Sequence, residues 1–121
     1  MGERTWVIGE KSQLPAIEAE LEDLEDALIT SEEYLTPYLW GEYKIIIMPP
    51  SFPFGGMENP LLTFASPYII VGDKSQVDTA THEILHSWFG NLVTNMNFDN
   101  FWLNEGFTMF AERKVTKIMK T

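Results

Sequence analysis

The chain has 121 residues, and this length with 45% hydrophobic and 13% aromatic residues is typical of one packed domain rather than a disordered segment. It contains no cysteine, which excludes disulfides and cysteine zinc fingers, and its formal net charge of -10 excludes nucleic acid as a natural partner. No stretch has the roughly 18 apolar residues of a membrane span and the N-terminus has no signal-peptide core, so we expect a cytoplasmic protein without a membrane partner.

Most of the negative charge lies in residues 10–33, where nine acidic residues accompany one lysine, Lys11. The apolar residues of this segment recur at spacings of four, three and four: Ile17, Leu21, Leu24 and Leu28. This spacing predicts an amphipathic helix that begins near Pro15, with a further helical turn or two from Thr30 that ends before Pro37 or around Trp40 and Gly41. We interpret the acids as a solvated helix face; the alternative is an acidic docking surface for a basic partner.

Four segments are rich in β-branched, aromatic or aliphatic residues and are predicted to be strands: residues 5–8, 43–48, 61–65 and 68–71. The segment 43–48 is a continuous apolar run, which is typical of a strand in the centre of a sheet. Strands and helices therefore both occur along the chain, and the sequence predicts an α+β fold.

The helix predicted over residues 75–90 carries a metal-binding pattern. The four residues from Ser75 have the form of a capping box, and Gly90 supplies a stop. His82 and His86 are the only histidines of the chain and lie four residues apart, on one face of the helix, so both imidazoles can reach a single ion. Glu83 lies beside His86, where it can take a proton from a metal-bound water.

A catalytic zinc ion needs a third protein ligand and an open position, and Glu105 is the candidate that follows in the chain. Eighteen residues separate it from His86, enough to end one helix and begin another beside it. This last helix is predicted over residues 101–117, capped by Asp99 or Asn100, with three apolar side chains toward the core: Leu103, Phe107 and Phe110. The sequence therefore predicts one zinc ion; the alternative is two ordinary helix histidines beside a salt-bridging glutamate.

Three blocks of the sequence carry a family resemblance: residues 49–60 (PPSFPFGGMENP), 82–95 (HEILHSWFGNLVTN) and 101–109 (FWLNEGFTM). Together they resemble the gluzincin zinc aminopeptidases, most closely the branch that contains leukotriene A4 hydrolase and aminopeptidase B. The resemblance implies that His82, His86 and Glu105 are the zinc ligands and that Glu83 is the general base. It also implies part of a thermolysin-like metallopeptidase catalytic domain, with a small β-sheet packed on the zinc-site helices.

The resemblance assigns a substrate site to the segment Gly-Gly-Met-Glu-Asn at residues 55–59. Glu58 would bind the free α-amino group of a peptide, since a fixed negative charge selects an ammonium over a chain interior. Gly55, Gly56 and Met57 would align the substrate as an added strand, because glycine permits close approach of the backbone. The expected partner is therefore a peptide with a free N-terminus.

The resemblance also sets an expectation about activity. In this family a tyrosine downstream of the third zinc ligand holds the oxyanion, whereas the last tyrosine here, Tyr68, lies upstream. We interpret residues 1–121 as a single truncated catalytic domain that binds zinc with weak or undetectable peptidase activity, and that self-associates through exposed apolar surface. Two alternatives stay open: a catalytically silent zinc-binding module, and a bifunctional relative that also hydrolyses a lipid epoxide.

Overall fold

The computed structural model describes residues 2–121, and within them four strands form one sheet. The strands are β1 (Thr5–Ile8), β2 (Tyr43–Ile47), β3 (Gly56–Met57) and β4 (Leu62–Ala65). The helices are α1 (Leu14–Glu20), α2 (Leu24–Tyr34), α3 (Val77–Leu85) and α4 (Phe101–Met119). The chain is α+β, as predicted, with α3 against β3 and β4 and with α2, α3 and α4 packed on one another.

The sheet has the order β1-β2-β4-β3, and the predicted central strand is confirmed. β2 pairs in parallel with β1 on one side and with β4 on the other, while β3 pairs antiparallel with β4 at the edge. Along β2, Tyr43, Ile45 and Ile47 are buried. A parallel connection needs a long crossover, and α1 with α2 supplies the one between β1 and β2.

The apolar stripe of residues 17–28 forms the centre of the core, but it lies on two helices rather than one. Each of its four leucine and isoleucine side chains is at most 2% exposed. Between α1 and α2 the N–H of Leu24 donates to the carbonyl of Leu21 at 3.0 Å, a turn of three residues. Such a tight turn keeps the apolar side chains of α1 and α2 on the same side of the helix pair. The spacing of these residues therefore predicts the buried face but not the break between the two helices.

The prediction of a solvated acidic face in residues 10–33 holds for the five exposed acids, is wrong for the buried Glu20, and misses the contacts that several of the other acids make. Glu20 is only 2% exposed, and its carboxylate accepts the backbone N–H groups of Gly72 and Lys74, both at 2.8 Å. The other engaged acids form ion pairs with Arg4 or Lys74: Glu22, Asp23, Glu25 and Glu32. These acids therefore connect α1 and α2 to other parts of the fold.

Residues 68–71 were predicted to form a strand, and this prediction is wrong. A 3-10 helix spans Pro67–Ile69 instead, and the hydroxyl oxygen of Ser66 accepts the N–H of Tyr68 at 3.2 Å. Proline lacks an N–H group and has a fixed φ, so it suits the first position of a helical turn. The turn buries Ile69 in the core, which accounts for the apolar character of the segment.

The structure also corrects both ends of the helix predicted over residues 75–90. α3 begins at Val77 without a side-chain cap, and the N–H of Ser75 instead donates to the carboxylate of Asp73 at 2.9 Å. The helix ends at Leu85, after which the chain turns toward Gly90, whose φ of 120° is a conformation that favours glycine.

α4 begins where predicted, but its orientation differs from the prediction. Phe107 and Phe110 are 54% and 57% exposed and Leu103 is only partly buried, so these side chains do not form the core. The buried face of α4 consists of smaller side chains: Asn104, Thr108, Ala111 and Val115. Across residues 2–121 we find no helix with the length and apolar character needed to cross a membrane.

Candidate metal centre

The two histidines of the motif keep helical spacing although α3 ends between them. His86 follows the last residue of the helix, but its φ of -60° and ψ of -19° are still helical. Its N–H donates to the carbonyl of His82 at 3.2 Å. Both imidazoles therefore lie on one side of α3, facing α4, as a spacing of four residues requires.

The three predicted zinc ligands converge. The Nε2 atoms of His82 and His86 are 3.1 Å apart. Each is also 3.3 Å from a carboxylate oxygen of Glu105, His82 from Oε2 and His86 from Oε1. Glu105 lies in the second turn of α4, so the packing of α4 on α3 brings the third ligand to the other two.

The remaining ring nitrogens determine which atoms are free to bind an ion. Nδ1 of His82 lies 2.8 Å from Oε2 of Glu112, and Nδ1 of His86 lies 2.9 Å from the carbonyl oxygen of Phe89. Both partners are acceptors, so each Nδ1 must carry the hydrogen and donate it. In the neutral rings both Nε2 atoms are then lone-pair acceptors, and they point toward each other and toward a carboxylate.

This arrangement fits one zinc ion. The two Nε2 atoms and the two oxygens of Glu105, separated by 3.1–3.3 Å across the three residues, repel one another unless a cation or protons lie among them. Ligand atoms at about 2.0–2.1 Å from a tetrahedral zinc ion are about 3.3 Å apart, and two imidazoles with one carboxylate is a ligand set of catalytic zinc. His82, His86 and Glu105 therefore have both the chemistry and the spacing of a zinc site.

Glu112 is a functional residue that the sequence analysis missed. Its carboxylate is mostly buried and holds the ring of His82 by the Nδ1 hydrogen bond. Burial of His82 favours the neutral ring, but the hydrogen bond that its Nδ1–H donates to Glu112 and the charges of Glu83, Glu112 and Glu105 outweigh this effect and raise the pKa of His82. A carboxylate behind a ligating histidine orients the ring and increases its basicity.

Glu83 lies on the sheet side of the histidines and is 5% exposed. Burial raises the pKa of Glu83 to about 8; the charge of His82 opposes this, while Glu58, Glu105 and Glu112 add to it. Its Oε2 atom is buried without a hydrogen-bond partner among residues 2–121. A buried carboxylate oxygen with no partner is costly unless a nearby group uses it, which is consistent with a role in proton transfer.

The predicted substrate segment lies next to Glu83. Gly56 and Met57 form the edge strand β3, and Glu58 follows it. A carboxylate oxygen of Glu58 lies within 4.8 Å of ligand atoms of both Glu83 and His86. The structure therefore brings Glu58 to the same site as the histidine motif, although 23 residues of sequence separate Glu58 from His82.

Asn91 holds the backbone at Glu58, and the sequence analysis did not identify this contact. The Nδ2 group of Asn91 donates to the carbonyl oxygen of Glu58 at 2.8 Å, while its own N–H donates to the carbonyl of His86 at 3.0 Å. The turn after α3 is thus connected to both halves of the site. Asn91 lies in the block 82–95 already singled out, whereas the acceptor role of the Phe89 carbonyl has no signal in the sequence.

Comparison with known proteins supplies the family. Residues 19–121 match the model of the peptidase family M1 domain. Aminopeptidase B of Rattus norvegicus is 52% identical over 120 residues, which are 98% of this chain and 18% of that protein. Leucine aminopeptidase 2 of Neurospora crassa is 50% identical over 116 residues, which are 95% of this chain and 17% of that protein.

Solved structures agree with these relatives. Native yeast LTA4 hydrolase superposes with a TM-score of 0.92 at 43% identity, covering 98% of this chain and 19% of that one. The yeast LTA4 hydrolase complex with bestatin gives a TM-score of 0.94 at 41% identity, over the same shares of the two chains. The chain thus spans less than a fifth of the length of these relatives. Its fold, its histidine motif and these similarities show that the chain belongs to the peptidase family M1.

Proposed function

We propose that residues 1–121 belong to the catalytic domain of a zinc-dependent aminopeptidase, which hydrolyses the N-terminal peptide bond of a peptide. The observation that carries the proposal is the convergence of two Nε2 atoms and the Glu105 carboxylate at 3.1–3.3 Å, beside a buried glutamate. The aminopeptidases among the similar proteins support the same reaction class.

His82, His86 and Glu105 would hold the single zinc ion. Bound there, zinc supplies a Lewis acid that acidifies a water molecule and polarises the scissile carbonyl group. Glu83 accepts the proton of the attacking water at its carboxylate and then transfers it to the leaving amine. Burial of Glu83, which is 5% exposed, limits the access of bulk water to its side chain.

Glu58 would bind the α-ammonium group of the substrate. Its carboxylate lies within 4.8 Å of ligand atoms of Glu83 and His86, so a bound ammonium would place the first peptide bond close to the general base. Asn91 holds the Glu58 backbone, which keeps this distance constant. A peptide without a free amine would leave the Glu58 carboxylate unpaired, and this disfavours internal bonds.

The edge strand would align the substrate backbone. Gly56 and Met57 form β3, directly after Gly55, and one side of this strand has no partner within the described sheet, since β4 pairs only with the other side. An extended peptide can add to such an edge by backbone hydrogen bonds, and glycine allows it to approach closely. We propose the cytoplasm as the compartment, which a chain without cysteine permits.

The proposal is tested with the zinc-loaded chain and a pair of aminoacyl fluorogenic substrates that differ only in a free or acetylated amine. We expect weak turnover, as for a truncated domain, of the free amine alone, with at least 100-fold loss in Glu83→Gln and loss of the preference for the free amine in Glu58→Ala. Zinc content by mass spectrometry is the control in each variant. One equivalent of zinc without any turnover would contradict the proposal and favour a silent zinc-binding module.

A further inference from the structure

The turn that follows α3 supplies the carbonyl group that orients His86. Nδ1 of His86 donates to the carbonyl oxygen of Phe89 at 2.9 Å, and His86 is only 1% exposed. Phe89 lies four residues beyond the end of α3, so the regular geometry of the helix does not fix its carbonyl. The orientation of the His86 ring therefore depends on what holds the turn over residues 86–91.

The turn is held partly by its own backbone and partly by a side chain from a distant segment. The carbonyl of His86 accepts the N–H of Asn91 at 3.0 Å, within the turn. The carbonyl of Ser87 accepts instead from the indole Nε1–H of Trp40, also at 3.0 Å. Ser87 is only 6% exposed, and a buried carbonyl without a hydrogen-bond donor is unfavourable. The turn would therefore rearrange if Trp40 lost its N–H group.

A second indole connects the same two segments in the opposite direction. Nε1 of Trp88 donates to the carbonyl and hydroxyl oxygens of Thr36, at 3.1 and 3.0 Å. The ring of Tyr38 packs on that of Trp88, with the ring centroids 5.7 Å apart. The segment 36–40, which follows α2, is thus attached to the turn near both of its ends, across 47 to 52 residues of sequence.

The two indoles differ in what they hold. Trp88 belongs to the turn and binds the segment 36–40, whereas Trp40 belongs to that segment and binds the turn. Its acceptor, Ser87, lies between His86 and Phe89 in the chain. A shift of the Ser87 carbonyl therefore moves the Phe89 carbonyl relative to the imidazole that donates to it.

We propose that Trp40 is a positioning residue for His86. Its indole N–H holds the Ser87 carbonyl, which keeps the Phe89 carbonyl against Nδ1 and leaves Nε2 facing the other two candidate ligands. Trp40 acts through the backbone of the turn and not as a ligand. This role rests on the proposed function only for its consequence in zinc binding.

The first test needs no metal and uses amide hydrogen exchange of the metal-free chain, followed by NMR. Trp40→Phe keeps an aromatic ring but removes the donor, so exchange at Phe89 and Asn91 should become about 10-fold faster relative to the buried Val115 of α4. Trp6→Phe, at a half-exposed position of β1, is the matched control and should leave this ratio unchanged. An unchanged ratio in Trp40→Phe would overturn the proposal.

The second test measures zinc affinity by competition with a chelating indicator at neutral pH. Trp40→Phe should weaken zinc binding about 10-fold, because the Thr108 hydroxyl, 3.2 Å from Nδ1 of His86, remains as an acceptor. In a Thr108→Val background the same substitution should weaken it about 100-fold, since neither acceptor is then in place. Trp6→Phe should bind zinc as the unsubstituted chain does.

Two results of the zinc experiment would overturn the proposal. One is an unchanged affinity in Trp40→Phe, and the other is an equal loss with and without the Thr108 hydroxyl, which would indicate a general loss of structure. If the unsubstituted chain bound no zinc, the proposed function would be contradicted instead. The exchange ratio would then decide by itself whether Trp40 holds the turn beside His86.

Discussion

At the scale of single residues, the second nitrogen of each histidine explains why the site is preorganised. Glu112 accepts from Nδ1 of His82, while Nδ1 of His86 lies between the carbonyl of Phe89 and the hydroxyl of Thr108, at 2.9 and 3.2 Å. These contacts fix the ring orientations before any ion arrives. Ion binding then costs little reorganisation, which is the usual function of such partners.

We predict that Glu112→Ala weakens zinc affinity about 10- to 100-fold, because His82 loses the acceptor that orients its ring. Glu112→Gln should weaken it less, since the amide oxygen can still accept the Nδ1 hydrogen. Competition with a chelating fluorescent indicator at neutral pH measures both. Glu33→Gln, at an exposed position of α2, is the matched control and should bind as the unsubstituted chain does. If zinc affinity were unchanged in Glu112→Ala, the 2.8 Å contact between His82 and Glu112 would have no role in metal binding.

The candidate ligands were predictable from sequence for a chemical reason that Glu112 does not share. His82, Glu83 and His86 form a pattern whose residue types are rare together, and Glu105 follows at a spacing that a helical hairpin can close. Glu112, in contrast, is one of several charged residues on α4. Only the rotation of α4 decides which of them faces His82, and that rotation was predicted wrongly.

At the scale of the elements, the acidic helix pair is connected to the sheet by Arg4. The guanidinium donates from Nη1 and Nη2 to the two oxygens of Glu32, at 3.0 and 2.7 Å, and Glu32 also accepts the N–H of Tyr38 at 2.7 Å. The hydrogen bond from Arg4 is the main cause that lowers the pKa of Glu32; burial opposes it and the Tyr38 N–H adds to it. This pair joins the segment before β1 to the end of α2.

We predict that Glu32→Gln destabilises the chain by about 1 kcal/mol at neutral pH. This value is near the upper end of the stability that partly exposed ion pairs contribute, because the contact between Arg4 and Glu32 is bidentate. The pKa of Glu32 is lower in the folded chain than in the unfolded chain, where it is about 4.3. The ion pair therefore contributes its full stability above about pH 4.3, and this contribution is lost as the pH falls through the folded-state pKa. The difference in the free energy of unfolding between the variant and the unsubstituted chain should therefore become smaller at acidic pH. Urea unfolding across this pH range measures it, with Glu33→Gln as control. If the stability difference did not change with pH, the ion pair between Arg4 and Glu32 would be excluded as its cause.

The strand and helix predictions succeeded where the pattern of apolar residues is strong. They failed where side chains form hydrogen bonds with the nearby backbone that favour another local structure. The run 43–48 is correctly predicted to be the central strand, although its burial alternates: Tyr43, Ile45 and Ile47 are buried and Lys44 and Ile46 are only partly buried. Residues 68–71 are equally apolar, but Pro67 and the Ser66 hydroxyl favour a helical turn there. The Ser75 cap failed for a similar reason, because Asp73 takes its N–H.

At the scale of the whole molecule, the outer face of α4 exposes several large apolar side chains. A groove of about 590 Å³ lies between α4 and the end of α2. Trp102, Phe107 and Phe110 border it and are 67%, 54% and 57% exposed. Apolar patches of this kind on a protein surface mark contact with other protein or drive association.

We predict that this chain self-associates through the groove in a concentration-dependent manner, because burial of exposed aromatic side chains is favourable. Phe107→Ser with Phe110→Ser should shift the chain toward the monomer, since the two side chains are more than half exposed and contribute little to the core. Sedimentation velocity over a dilution series measures the effect. Lys117→Ser, an exposed change elsewhere on α4, is the control. A monomer at all concentrations in the unsubstituted chain would contradict the prediction.

The candidate ligand types, their spacing, the buried stripe of the helix pair and the central strand can all be inferred from the amino-acid order. These features depend on residues close together in the chain, where backbone geometry fixes the side-chain periodicity, or on residue types that are rare together. The contact of Glu112 with His82 and that of Asn91 with Glu58 are visible only in the folded chain. Each of these contacts joins residues that are far apart in the chain, and depends on the rotation and spacing of packed elements, which local patterns do not encode.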